Sequence, residues 1–177
     1  MTPDVRLELL APDHARSLER FEQVNRDFFA ARVGDRGDDF FARFDDRLAA
    51  RVDENRQGSS LYFVLVDEEA EIVGRVNISD IDQPEVTEIG FRVAEEAQGR
   101  GVATHGVIAA LDIAAAKGVR AVMARVSTAN PSSSRVLERC GFDRVGRADT
   151  PDGASGTFIH YRKQLAGASA SPDSEAS

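Results

Sequence analysis

Cysteine, histidine and long apolar runs are all scarce in this 177-residue chain. One cysteine, Cys140, excludes an intrachain disulfide framework. The three histidines, His14, His105 and His160, share no metal-ligand spacing, so no metal site is expected. No apolar stretch is long enough to cross a membrane. The start, Met1-Thr2-Pro3-Asp4, has neither the basic flank nor the apolar run of a secretory signal. Positive charge is the minority sign: 22 Lys and Arg stand against 30 Asp and Glu, a net charge of −8. That balance disfavours strong nucleic-acid binding. The expectation is a cytoplasmic protein with no membrane attachment. Hydrophobic residues at 42% and charged residues at 29% suffice for one buried core.

The apolar pattern divides the chain into alternating elements. Val5, Leu7 and Leu9 alternate with Arg6 and Glu8 as on a half-buried strand. Helical spacing follows over Asp13 to Val33 and again over Asp38 to Asn55. Leu61 to Val66 and Glu71 to Ile78 read as a strand pair, and Val86 to Val93 as a further strand. A helix from Gly101 to Lys117 is stopped by Gly118. Val119–Val126 reads as a strand, Asn130 to Cys140 as a short helix, and Phe142–Val145 and Gly156–Leu165 as the closing strands. The reading is an α/β domain over 1–166, with a mixed sheet of about seven strands flanked by helices. The small, polar stretch 167–177 is expected to be a disordered tail.

Gln98-Gly99-Arg100-Gly101-Val102-Ala103 lies between a strand and a helix. Its glycines allow close backbone approach, and the free amides of the helix start form an anion site. Arg100 and Thr104 could add contacts to a phosphate. The run is neither a dinucleotide fingerprint nor a Walker A loop, because residue 104 is threonine and no Gly-Lys-Ser/Thr follows.

Glu88-Ile-Gly-Phe-Arg-Val followed by Gln98-Gly-Arg-Gly-Val-Ala resembles the core of the GNAT superfamily of acyl-CoA N-acyltransferases. Asn130-Pro-Ser-Ser-Ser-Arg-Val-Leu-Glu-Arg-Cys-Gly-Phe142 is similar to that superfamily's second signature. The subgroup most resembled contains the ribosomal-protein alanine N-acetyltransferases. The resemblance implies a GNAT fold in which the fourth and fifth strands splay apart, and acetyl-CoA as cofactor. It implies that Gln98, Gly99, Arg100, Gly101, Val102, Ala103 and Thr104 cradle the pyrophosphate. It also implies that the backbone of Ile89, Phe91, Arg92 and Val93 pairs with the pantetheine arm, and that Asn130, Ser133 and Arg135 bind the cofactor. Asn130 serves either the cofactor arm and local backbone, or a turn cap.

Acetyl transfer needs a proton acceptor for the amine and donors for the oxyanion and the departing thiolate. Glu88 is the candidate base, acting directly or through water; a solvent-facing or substrate-orienting carboxylate is the alternative. Many relatives carry a tyrosine acid where this chain has Leu137, so none can be carried over. Ser133 matches the subgroup's serine and serves either the thiolate or the helix cap. Glu138 reads as structural, and Cys140 as a buried packing residue. His160 or Tyr161 could line a substrate pocket.

Phe21, Phe28, Phe29, Phe40, Phe41 and Phe44 concentrate in the two early helices. Core packing is one role. By the resemblance, this region also shapes the acceptor site, with Phe28, Phe29, Phe41 and Glu88 as substrate-binding candidates. Glu22, Asp27, Asp38, Asp39, Asp45 and Asp46 nearby suit a cationic amine. The expected activity is acetyl transfer to a primary amine, preferably a protein N-terminus. The alternatives are a small amine or aminoglycoside-like acceptor, or an acyl-CoA-binding regulator without turnover. A homodimer is also compatible with the sequence.

Overall fold

Leu61 to Val66 is apolar at nearly every position, and all six residues are buried in strand β2 (Leu61–Asp67). A strand apolar on both parities must lie inside a sheet covered on both faces. The computed structural model describes residues 2–166; the expected tail at 167–177 lies outside the described residues. Seven strands form one mixed sheet in the order β1-β2-β3-β4-β5-β7-β6. The others are β1 (Val5–Leu9), β3 (Ile72–Ser79), β4 (Glu88–Val93), β5 (Ala121–Ser127), β6 (Asp143–Ala148) and β7 (Phe158–Gln164). Neighbours pair antiparallel except β4 and β5, which run parallel across the helical crossover. The sheet is flanked by helices, as the pattern predicts. No helix among the described residues is long and apolar enough to cross a membrane.

Two expected helices are each divided. The segment 13–33 becomes α1 (Ala15–Val24) and α2 (Arg26–Val33), after a short 3-10 turn at Pro12–His14. The segment 38–55 becomes α3 (Asp38–Ala42) and α4 (Phe44–Gln57). Backbone bonding continues across both bends, through Asn25 N–H to Phe21 C=O at 3.2 Å and Arg43 N–H to Asp39 C=O at 3.1 Å. The apolar periodicity therefore passes through unbroken. The first bend is held by the buried Asn25 side chain, which donates to Phe21 C=O and accepts from Glu95 N–H, both at 2.9 Å. Strand β4 begins at Glu88 rather than Val86. Val86 N–H is turned back to Gln83 C=O at 3.0 Å, and Thr87 Oγ1 donates to Asp80 C=O at 3.0 Å, so this segment is a pinned turn.

Helix α5 (Val102–Ala116) covers one face, with Gly106 set against Leu65 and Val76. A Cβ there would lie 2.7 Å from Leu65 Cδ1, so the helix approaches the sheet at the distance glycine allows. Helix α6 (Pro131–Arg139) packs beside it. Helix α1 packs on the opposite face, against β3. Phe21, Phe29, Phe40 and Phe44 are buried, so the phenylalanine concentration is largely core.

On the α1 face, register places Arg75 of β3 opposite Arg92 of β4. Both reach Glu22 of α1, which is 1% exposed: Arg75 Nη1 donates to Oε1 at 2.7 Å and Arg92 Nη1 to Oε2 at 3.5 Å. Arg36 Nε adds a contact to Oε2 at 3.3 Å. Burial alone would raise the Glu22 carboxyl, but Arg75, Arg36 and Arg92 outweigh it and hold it below its ordinary value. A depressed native pKa stabilises the fold above the ordinary carboxylate range, and that contribution is lost as pH falls through the native value. Glu22→Gln leaves three guanidinium groups without their counter-charge. It should cost on the order of 3 kcal/mol at pH 7, read from urea unfolding. The penalty should shrink as pH falls below the ordinary carboxylate range and through the depressed native value, where the native carboxylate protonates.

Candidate active site

The parallel junction between β4 and β5 contains a single ladder pair, Glu88 with Met123, where Met123 N–H bonds Thr87 C=O at 2.9 Å. Beyond it the two strands diverge. Ala94 N–H reaches Val73 C=O in β3 at 2.8 Å. Strand alternation therefore turns the N–H groups of Gly90 and Arg92 toward β3, and those of Phe91 and Val93 toward the gap. Gln98 Nε2 donates to Val93 C=O at 2.8 Å, filling one vacancy from the side. Phe91 N–H, Phe91 C=O and Val93 N–H keep a free edge with no strand partner among the described residues.

Gly99 and Gly101 adopt φ of 73° and 77°, the left-handed region where other residues are strained. A Cβ at either would meet nothing within 4 Å, so both face open space. His105 N–H makes the first intrahelical bond, to Gly101 C=O at 2.9 Å. The N–H groups of Val102, Ala103 and Thr104 are thus free at the helix start.

A continuous groove joins these features. At one end lies a cavity of about 520 Å³ bordered by Gly99, Gly101, Val102, Ala103, Thr104, Arg135 and Arg139. It shares Val93, Gln98, Ala103, Ser132 and Val136 with a slot of about 50 Å³ that includes Phe28, Phe29, Phe91 and Arg92. The slot in turn shares Val33, Phe91, Arg92, Asn130 and Ser133 with a cleft of about 220 Å³ between β4 and β5. The groove is wide at both ends and narrow in the middle, the profile for a linear arm between two larger groups.

Most of the sequence-derived site residues meet along this groove. Ile89 joins the final cleft. Asn130 is buried, and its Oδ1 accepts from Ser132 Oγ at 2.8 Å and Ser133 N–H at 3.4 Å, so it caps α6. The Ser133 hydroxyl has no hydrogen-bond partner among the described residues and borders both slot and cleft. Glu88 is tied by a two-bond fork to Arg125, with Nε to Oε1 at 3.0 Å and Nη2 to Oε2 at 2.9 Å. Arg125 itself lines the cleft.

Other singled-out residues lie outside the groove. Arg100 does not border the groove itself; it borders an adjoining cleft with Asp4, Asp67, Glu68 and Glu69, which shares Gly99, Gly101 and Val102 with it. Phe41 is stacked under Arg26 at 5.0 Å and borders a small adjoining pocket with Phe29, Arg36 and Arg92 rather than the groove itself. Tyr161 is 1% exposed and its hydroxyl donates to Glu138 Oε1 at 3.3 Å, which fixes both as structural. Leu137 is fully buried and borders no part of the groove. Burial pushes the Cys140 thiol up to about 11, far from a thiolate nucleophile. The acidic residues expected at the acceptor end do not line it. Its charged wall is Arg36, Arg75, Arg92 and Arg125, which the sequence reading missed apart from Arg92. Arg139 at the opposite end was also missed, although its spacing of one helical turn from Arg135 was visible.

The acetyltransferase (GNAT) domain family matches residues 5–143. No curated protein sequence matches the chain. The structure is similar to ribosomal-protein-S5-alanine acetyltransferase from Vibrio fischeri, with 25% identity over 93% of this chain and 94% of that one and a TM-score of 0.83. It is also similar to RimJ of Mycobacterium smegmatis in complex with a CoA disulfide, at 23% identity, 90% and 81% coverage and a TM-score of 0.79. Spermidine N-acetyltransferase from Vibrio cholerae, in complex with CoA and spermine, shares the fold at 19% identity, 91% and 95% coverage and a TM-score of 0.72. With the split sheet, the glycine turn and a family match over most of its length, the chain belongs to the GNAT acetyltransferase family.

Proposed function

We propose that residues 1–166 act as one domain that transfers the acetyl group of acetyl-CoA to a primary amine, preferably the N-terminus of a protein. The observation that carries this reading is the groove from the glycine turn, past the free edge of β4, to the cleft at Arg125. The N–H groups of Val102, Ala103 and Thr104, with Arg135, suit a pyrophosphate. The free backbone groups of Phe91 and Val93 suit the amides of a pantetheine arm, because unpaired backbone polar groups gain most from a ligand that pairs them. The preference for a protein N-terminus rests on likeness to the ribosomal-protein-S5-alanine acetyltransferase.

In the proposed reaction the amine nitrogen bonds to the thioester carbonyl carbon, the C–S bond breaks, and the amine loses a proton. Glu88 takes that proton, directly or through a water. Each carboxylate oxygen keeps acceptor capacity after the Arg125 fork is formed. Arg125 is thereby a positioning residue. A free N–H on the β4 edge faces the developing oxyanion. The Ser133 hydroxyl, which has no other partner among the described residues, donates a hydrogen bond to the departing thiolate. No tyrosine acid is needed for this assignment, since a CoA thiolate is a tolerable leaving group.

Calorimetric titration with acetyl-CoA, followed by mass-spectrometric detection of acetylated amines from a peptide panel, tests the proposal directly. Saturable binding with transfer supports it, whereas binding without transfer to any amine favours the regulator. Gly101→Glu should abolish saturable binding while circular dichroism stays unchanged, because a carboxylate then occupies the anion site. Glu88→Gln should lower kcat/KM about 10²-fold near neutral pH and leave acetyl-CoA affinity unaltered. Ser133→Ala should slow transfer by roughly tenfold, with the loss in kcat rather than in acetyl-CoA affinity.

A further inference from the structure

Four charged side chains line the cleft at the acceptor end of the groove, and all four are arginines. Arg125 is matched by Glu88. The remaining three, Arg36, Arg75 and Arg92, converge on the one carboxylate of Glu22. Arg75 is well satisfied, with Glu22 Oε1 at 2.7 Å and the Asn77 side-chain oxygen at 2.8 Å from Nη2. Arg36 and Arg92 each offer only one nitrogen to Glu22, at 3.3 and 3.5 Å. No fully buried side-chain polar atom among the described residues lacks a partner. The unengaged nitrogens of Arg36 and Arg92 therefore retain access to solvent, and both residues line the cleft.

Among the described residues, three guanidinium groups thus share one carboxylate, leaving two positive charges in surplus. The nearby carboxylates of Asp35 and Asp38 are taken by Arg26, at 2.8 and 2.9 Å. Burial, and then repulsion by Arg75 and Arg92, pushes the Arg36 guanidinium down to about 9. The surplus is also held in place. Arg36 lies over the Phe40 ring at 4.5 Å and Arg92 over the Phe29 ring at 4.9 Å, so neither fork is free to swing into solvent. A fixed, partly desolvated guanidinium pair is a preorganised receptor for a planar or tetrahedral oxyanion. The same wall repels a polyamine.

Building on the proposed amine acetylation, we infer that the preferred acceptor carries an oxyanion, carboxylate or phosphate, close to its reactive amine, and that Arg36 and Arg92 bind it. In a protein acceptor this is an acidic residue just behind the N-terminus. In a small acceptor it is a carboxylate or phosphate on the same molecule.

The test compares acceptors in matched pairs at constant ionic strength, using the full chain. A peptide beginning Ala-Glu is set against one beginning Ala-Gln, and phosphoethanolamine against ethanolamine, with spermidine alongside. The acidic member of at least one pair should show kcat/KM roughly tenfold higher, the scale of one charge-assisted hydrogen bond; which pair responds separates peptide from small-molecule acceptors. The ratio should fall toward unity in Arg36→Gln and be partly kept in Arg36→Lys. Independently, glutarate and inorganic phosphate should each raise the melting temperature of the unsubstituted protein above that in potassium chloride of equal ionic strength. Arg36→Gln should lose the glutarate shift. Transfer with equal kcat/KM within both pairs overturns the anion site and leaves the acetyltransferase reading intact. If no amine is acetylated, that reading fails instead, and the anion site stands or falls on the glutarate shift. Should Arg36→Gln not fold, the acceptor pairs and Arg36→Lys decide the matter.

Discussion

A sheet that stops being a sheet partway along one junction governs everything at this site. Strands β4 and β5 share one rung, Glu88 with Met123, and then part. On one side of the rung the backbone is satisfied by its neighbours; on the other it presents free donors and acceptors to a groove. That edge differs from an ordinary edge strand, because β5 and α6 still wall it in. Unpaired backbone groups in such a place are costly if left dry, and they become binding energy when an amide-bearing ligand pairs them. The glycine turn and the free start of α5 lie at one end of this edge, and the arginine-lined cleft at the other.

The parts of this arrangement carried by local sequence were readable without coordinates. Gly99 and Gly101 stand out because only glycine sits easily at their positive φ. Strand alternation in Glu88–Val93 and the apolar stripe of α5 are likewise local signals. The bends at Asn25 and Arg43 were invisible because hydrogen bonding and apolar spacing both run through them. The direction of the Arg100 side chain depends on the turn's fold, and composition holds no trace of it.

The arginine cluster was hidden for a different reason. Arg36 comes from the loop after α2, Arg75 from β3 and Arg92 from β4; Arg36 and Arg75 belong to no motif, and Arg92 alone is marked, as a cofactor contact. Glu22 read as one of six acidic rim residues, when it is the single carboxylate buried among them. Only the register of β3 against β4, and the seat of α1 on that face, bring the four together. A net charge of −8 for the chain thus coexists with a cationic cleft. Overall charge predicts behaviour at a distance, whereas a site is governed by the charges within a few ångströms.

Asn25 joins two walls that local sequence treats as separate. Its side chain holds the bend that directs α2, the helix carrying Phe28, Phe29 and Arg32 along the slot. The same side chain receives Glu95 N–H, just after β4 and just before the glycine turn. It acts as a strut between one wall of the narrow slot and the approach to the glycine turn. Helix α2 cannot swing outward alone without breaking that bond or dragging the turn with it. The narrow middle of the groove and its glycine-turn end therefore share one support, and a change that releases Asn25 loosens both at once.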